Sequence, residues 1–271
     1  MEVMFITNNP KIALIAEKAG VDRIWIDLEK LGKEERQKGM NTVKSNHSIS
    51  DVSLIKPLLT KSKLQVRVNP WNPNSEAEIN QVIDSGAEYI MLPMWKSCEE
   101  VNNFIKTVNY RCKTILLLET REAVEILDDV LKIDGIDEIH IGLNDLHLSY
   151  HNKFMFEPFA NGIVENICNK IKGAEIQYGI GGVSHLGDGT IPAEMILKEH
   201  FRLGSTRVIL SRGFCNIKQD DLHVIENEFV ENMNSFRKFE DNLCKISEDE
   251  IKANHKKFVN LINNIVQNEK C

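Results

Sequence analysis

Two acids close neighbouring apolar runs near the middle of the chain. Glu119 ends Ile115-Leu116-Leu117-Leu118, and Asp145 ends Ile139-His140-Ile141-Gly142-Leu143-Asn144. A continuous apolar run reads as a strand buried on both faces. An unpaired carboxylate buried at the end of such a strand costs several kcal/mol, so packing alone does not account for it. Between the runs, Arg121 to Leu131 carries Ala123, Val124, Leu127, Val130 and Leu131 at helical spacing. The segment therefore reads as strand, crossover helix, strand. That order puts both acids at the same ends of adjacent parallel strands, where they can share a divalent cation. Water and substrate would fill its other octahedral positions. A plainer role at Glu119-Thr120 is the cap of the following helix.

Other residues point to the same end of the sheet. Arg67 lies inside Leu64-Gln65-Val66-Arg67-Val68-Asn69. A guanidinium there needs an anion, and its planar fork suits a carboxylate. No other central strand is expected to carry a cation in this way. Asp27 and Glu29 close Ile24-Trp25-Ile26-Asp27-Leu28-Glu29 and share one face by period-two alternation. One is expected to hold a metal-bound water and the other to orient a base or Arg67. Gly179, Gly181 and Gly182 bare the backbone of another strand, for close approach of an anion or for a bulge. Pro93 and Met94 end a strand at ligand height, and Arg212 follows the last strand. Among the histidines, His140 alternates outward from Asp145 as a packing residue. His147 and His47 are the candidates to face a pocket, with His47 as a general base.

These residues need a scaffold, and a recurring phrase supplies it. Glycine, a short polar loop and a buried strand recur at Gly20, Gly86, Gly135, Gly173 and Gly204. The strands are Val3–Thr7, Ile24–Glu29, Leu64–Asn69, Tyr89–Met94, Thr114–Thr120, Ile139–Asp145, Tyr178–Val183 and Arg207–Ser211. Eight strands alternating with helices predict an α/β fold, a (β/α)8 TIM barrel over residues 1–216. Residues 217–271 read as a C-terminal helical extension for packing or oligomerisation. There Ser247 and Glu250 form a capping box, and Ile251, Phe258, Leu261, Ile262 and Ile265 make one stripe. No GxGxxG or GxxxxGK[ST] follows a strand, which weakens dinucleotide and nucleotide-hydrolysis readings. The connection from Lys30 to Ser48 is long, polar and lysine-rich, and is expected to be functional.

Composition sets the outer bounds. A chain of 271 residues with 42% hydrophobic and 27% charged residues can bury a large core. A net charge of −7 argues against nucleic acid or anionic membrane as the main partner. No apolar run spans a bilayer and no cleavable signal is evident, so a cytoplasmic protein is expected. Six scattered cysteines without a CxxC pair read as reduced, mostly buried thiols.

Taken together, Ile26-Asp27-Leu28-Glu29, Val66-Arg67-Val68, Gly86-Ala87 through Leu92-Pro93-Met94, Leu118-Glu119 and Ile141-Gly142-Leu143-Asn144-Asp145-Leu146 resemble one family over residues 1 to 215. It is the HpcH/HpaI aldolase and citrate lyase β-subunit group of pyruvate/phosphoenolpyruvate-type barrels. The resemblance implies Mg2+ or Mn2+ on Glu119 and Asp145, chelated by a pyruvate-like 2-oxo acid. It also implies Arg67 on the developing enolate, and strand-two acids at Asp27 and Glu29. The expected reaction is retro-aldol cleavage of a 4-hydroxy-2-oxo acid to pyruvate and an aldehyde, with Asp27 or His47 assisting removal of the 4-hydroxyl proton. Glu29, Pro93, Gly181 and Gly182 are expected to line the substrate. The alternatives are an acyl-CoA lyase of the citrate or malyl-CoA type, whose CoA phosphates would meet Lys30 to Lys44, and a non-catalytic metabolite-binding barrel. In the aldolase branch a histidine directly follows the strand-two glutamate. Here that position is Lys30, and the nearest histidine is His47, displaced by an insertion. By resemblance the chain is also expected to form a homo-oligomer.

Overall fold

The computed structural model describes residues 1–32 and 46–268. Eight parallel strands close into a barrel in sequence order: β1 (Glu2–Ile6), β2 (Arg23–Asp27), β3 (Lys63–Arg67), β4 (Tyr89–Leu92), β5 (Lys113–Leu118), β6 (Glu138–Ile141), β7 (Gln177–Val183) and β8 (Arg207–Leu210). The chain is thus a (β/α)8 barrel, as its alternation of apolar runs and amphipathic segments predicts. Most of the lysine-rich connection after β2, residues 33–45, lies outside the described residues.

The helices that jacket the barrel are α1 (Pro10–Lys18), α2 (Ile49–Ile55), α3 (Ser75–Asp84), α4 (Cys98–Val108), α5 (Arg121–Glu125), α6 (Leu127–Val130), α7 (Leu143–Ser149), α8 (Glu157–Ala160), α9 (Ile163–Gly173), α10 (Ala193–Leu203), α11 (Leu222–Leu243) and α12 (Glu248–Asn268). Their starts follow elementary capping chemistry. Asn9 accepts from Lys11 and Ile12 N–H at α1, and Ser97 and Glu100 form a capping box at α4. Of the two helices after residue 216, α11 packs between α1 and α10, the place of the barrel's eighth helix. Phe229 on α11 meets Phe5 of β1 edge to face, with ring centroids 5.0 Å apart. α12 lies outside that layer, on α10 and α8. Its Phe258 packs against Phe159 and Phe156, while Asn254 donates to Glu199, a carboxylate with no exposed surface. Among the described residues no helix is long and apolar enough to cross a membrane.

Strand alternation sorts side chains between the helical layer and the lumen. The lumen holds Met4, Trp25, Met91, Ile115 and Leu117, with Ile6, Tyr89 and Ile209 against them. Below them a charged floor closes the barrel: Arg23, 1% exposed, lies over the Tyr89 ring and pairs with Glu138, which also accepts from Arg207. Arg67 is therefore not the one cation on a central strand. Arg23, where the sequence reads as polar loop, and Arg207, the first residue of the predicted eighth strand, both stand at strand starts and turn inward.

His140 likewise faces inward, against the expectation of an outward packing residue. Its neighbours Ile139 and Ile141 join the helix-facing core, while its own Nε2 donates to Gly181 O at 3.1 Å inside the barrel. Alternation counted from Asp145 predicts an outward ring, but β6 ends at Ile141 and Asp145 sits on helix α7. Period-two counting does not survive that junction. Burial drives the His140 pKa down to about 4, so the ring is neutral. A neutral ring bonded to a carbonyl through Nε2 carries its proton there.

Candidate active site

The carboxyl ends of barrel strands carry the chemistry in this architecture, and the predicted residues cluster at that end. Asp27 and Arg67 are Cα partners in the β2–β3 ladder. Arg67 Nε donates to Asp27 Oδ1 at 2.8 Å and Nη2 to Oδ2 at 2.9 Å, and Nη1 lies 3.2 Å from Glu29 Oε2. The shared face predicted for Asp27 and Glu29 thus converges on one guanidinium. Both acids are 2% exposed, and the Trp25 ring lies 5.3 Å from the guanidinium carbon. Burial works against the Arg67 charge, but Asp27, Glu29 and Glu119 outweigh it and raise its pKa above the usual arginine value. A guanidinium has five N–H donors. Three of them face Asp27 and Glu29, leaving one on Nη1 and one on Nη2 for a ligand.

Glu119 follows the last residue of β5 and is buried. The cap of α5 is Thr120, whose hydroxyl accepts from Ala123 N–H at 3.1 Å, so capping does not explain Glu119. Its Oε1 instead accepts from Met94 N–H at 3.1 Å. Met94 holds a left-handed φ of 55°, a conformation that costs a non-glycine residue on the order of 1–3 kcal/mol and clusters at functional sites. On the next stave, Gly142 leaves the room that Glu119 fills: a Cβ there would stand 2.8 Å from Glu119 Oε2. Gly142 is a contributor that the sequence did not single out, and so is Asn69. Asn69 Oδ1 accepts the N–H groups of Lys30 and Leu31, and its amide donates to Glu78.

Asp145 lies in the first turn of α7 rather than at a strand end, four residues past β6, and is buried. Pro93, also buried, follows β4 and directs the chain into the Met94 turn. At Gly181 the φ of 45° favours glycine, and Leu143 occupies the space a side chain would need. Gly182 faces the backbone of Ile209 across the β7–β8 irregularity. His147 is buried with Nδ1 3.2 Å from Leu143 O of its own helix. Lys30, where the family branch has histidine, is exposed. His47 arrives from 20 residues beyond Asp27 and is buried beside it, its Nδ1 accepting Asp27 N–H at 2.9 Å.

Among the described residues no group of three or more His, Cys, Asp and Glu side chains is arranged to hold a metal. Glu119, just past β5, and Asp145, in the first turn of α7, offer two buried hard oxygen donors. A Mg2+-type ion is commonly held by one or two carboxylates, with water and substrate completing its shell. The donor chemistry and the Gly142 cradle around Glu119 therefore fit such an ion.

A closed (β/α)8 barrel with buried acids around an inward arginine at its carboxyl end defines the class of protein. The family model for HpcH/HpaI aldolase/citrate lyase matches residues 2–155, and the chain belongs to that family. It is 28% identical over 143 residues to a hydroxypyruvate/pyruvate aldolase of Roseovarius nubinhibens, covering 42% of this chain and 55% of that protein. Against a 4-hydroxy-2-oxo-heptane-1,7-dioate aldolase of Klebsiella pneumoniae it is 24% identical over 178 residues, covering 52% and 64%. The chain thus matches less than two thirds of the length of either relative. The crystal structure of an HpcH/HpaI aldolase from Desulfitobacterium hafniense shares the fold at a TM-score of 0.60 and 16% identity, over 78% of this chain and 85% of the other.

Proposed function

We propose that this chain is a divalent-metal-dependent carbon–carbon lyase that cleaves a 4-hydroxy-2-oxo acid to pyruvate and an aldehyde. The observation that carries it is the Arg67 guanidinium, fixed by Asp27 and Glu29 with two donors left for an anion. The names of the two aldolase relatives support the same reaction class.

In the cleavage, the C3–C4 bond breaks as the 4-hydroxyl proton passes to a water molecule of the solvent. C4 becomes the aldehyde carbonyl, the electron pair enters the C2–C3 enolate, and return of a proton from water to C3 gives pyruvate. The free N–H groups of Arg67 hold the negative oxygen as charge develops there, and preorganised donors of this kind act without reorganisation. Asp27 and Glu29 fix the plane of the guanidinium and keep it charged. Mg2+ or Mn2+ would be held by Glu119 and Asp145 and, when bound, would supply Lewis-acid polarisation of the 2-oxo group. Met94 N–H and the bare edge of Gly142 set the direction of the Glu119 carboxylate. Pro93, Gly181 and Gly182 are proposed to line the substrate, and a homo-oligomer is proposed for the assembly.

The test is pyruvate release from a panel of 4-hydroxy-2-oxo acids with Mg2+, Mn2+ or Co2+ supplied, coupled to NADH oxidation by lactate dehydrogenase. Turnover that disappears with chelator and returns with metal is expected. A correctly folded chain that releases no pyruvate from any member with any of the metals would overturn the proposal.

A further inference from the structure

We propose that His47 is a positioning residue that fixes Asp27, and through it Arg67, and is not the proton acceptor its sequence position suggests. The inference concerns the same site and rests on the lyase reading for its kinetic consequences. Leu28 N–H donates to Arg67 O on β3 at 2.8 Å, so alternation along β2 turns the N–H of Asp27 the other way, toward β1. β1 ends at Ile6, and its last bond of that kind is Thr7 N–H to Trp25 O. A buried donor past the end of its partner strand must find another acceptor or cost free energy. His47 Nδ1 supplies that acceptor at 2.9 Å.

His47 is itself held in place. The next residue, Ser48, caps α2: its N–H donates to Asp51 Oδ2 at 2.7 Å within a reciprocal capping box, and Asn8 reaches the same oxygen at 3.3 Å. The chain of contacts runs from the start of α2 to the His47 ring, to the backbone of Asp27, and on to the carboxylate that grips Arg67 bidentately. A backbone N–H only donates, so Nδ1 presents its lone pair and the proton of the neutral ring sits on Nε2. While that bond holds, neither ring nitrogen can take a proton from substrate.

The distinguishing experiment exploits side-chain geometry. In His47→Asn the amide oxygen takes the place of Nδ1 and can accept from Asp27 N–H. In His47→Gln the terminal group reaches toward Nε2 instead. The expected result is that His47→Asn stays within about threefold of the parent kcat and KM, while His47→Gln and His47→Ala raise KM for the 2-oxo acid by about tenfold or more with a smaller change in kcat. All three variants losing on the order of 10²-fold or more in kcat at unchanged KM would instead mark a general base and overturn the proposal. Two measurements on the unmodified chain need no turnover: the 15N shifts of the His47 ring and hydrogen exchange of the Asp27 amide. A protonated Nε2, an unprotonated Nδ1 and a protected Asp27 amide are expected. A proton on Nδ1 or a rapidly exchanging amide would overturn the proposal, whether or not the chain proves to be a lyase.

Discussion

Across the barrel floor, Arg23 of β2 gives one N–H from each Nη group to the two oxygens of Glu138 on β6, both at 2.7 Å. Arg207 adds a third bond to the same carboxylate at 3.1 Å. Burial opposes the Glu138 charge most strongly, but the two guanidinium groups prevail and hold its pKa below the usual carboxylate value. Removing one partner of such a network strands the others. Glu138→Gln is expected to destabilise the barrel by about 3–5 kcal/mol. The floor lies at the opposite end from Arg67 and Glu119, so kcat of the folded fraction should hold. Urea unfolding beside a pyruvate-release assay checks both. A loss of stability below about 1 kcal/mol would mean that the floor is solvated.

Two buried histidines set the acid side of the stability curve. Burial lowers the His140 pKa to about 4 and the His200 pKa to about 3, from 6.5 when unfolded. The unfolded chain therefore takes up protons first, and stability falls as pH drops from 6.5 through 4. Each histidine contributes on the order of 1 kcal/mol per pH unit within that window. Glu138 acts with the same sign lower down: its stabilisation is present above 4.5 and is lost as pH falls through its lower folded value. Unfolding free energies measured at pH 7, 6 and 5 should show a slope of about one proton in the first interval and near two in the second. In His140→Gln, whose amide can still donate to Gly181 O, about one proton of that slope should vanish. An unchanged slope would mean that His140 titrates normally.

Strand number, strand order and most of the residues gathered at the candidate site are legible in the sequence, because barrel strands are apolar runs and an acid or arginine closing one stands out. Glu119, Arg67, Asp27 and Glu29 announced themselves in that way. What could not be read was parity past a strand end and contact across an insertion. His140 was turned the wrong way because Asp145 belongs to α7. Arg23 reads as loop polarity because it follows a short polar turn, and nothing local tells that Arg207, at the start of the eighth strand, turns inward. The meeting of His47 with Asp27 spans 20 residues, and no local pattern encodes it. Gly142 matters through what it lacks, which becomes visible only beside Glu119.

Gly142 provides a steric test of the Glu119 position. Its φ of −86° is open to alanine, so Gly142→Ala brings no backbone strain. The added Cβ would stand 2.8 Å from Glu119 Oε2, 2.9 Å from Glu119 Cβ and 3.2 Å from Leu117 Cδ1. The carboxylate must shift to admit it. Overpacking of this size costs about 1–3 kcal/mol, and displacing or reorienting a ligand weakens metal binding roughly 10–100-fold. Calorimetric titration with Mn2+, alongside circular dichroism to confirm the fold, measures both effects. Unchanged Mn2+ affinity in a folded Gly142→Ala chain would show that Glu119 is not a ligand.

Arg67→Lys separates charge from geometry at the centre of the site. Lysine keeps a positive charge beside Asp27 and Glu29, so these two buried acids retain a counter-ion and the fold should survive with a loss of about 1–2 kcal/mol. A point charge cannot meet both oxygens of Asp27 in one plane, reach Glu29 and still present two aimed donors to a ligand. The loss should therefore fall on the transition state, with kcat/KM down about 10²–10³-fold, the magnitude seen when one preorganised donor is removed from a site holding a developing oxyanion. Asp27→Asn approaches the same fork from the other side: Arg67 keeps its charge but loses a bidentate partner, so KM for the 2-oxo acid should rise more than kcat falls. Steady-state kinetics on the two variants, each normalised to its folded fraction, decide the matter. If Arg67→Lys turned over at the parent rate, the fork geometry would have no part in catalysis, and Arg67 would be only a buried counter-ion for the acids of β2.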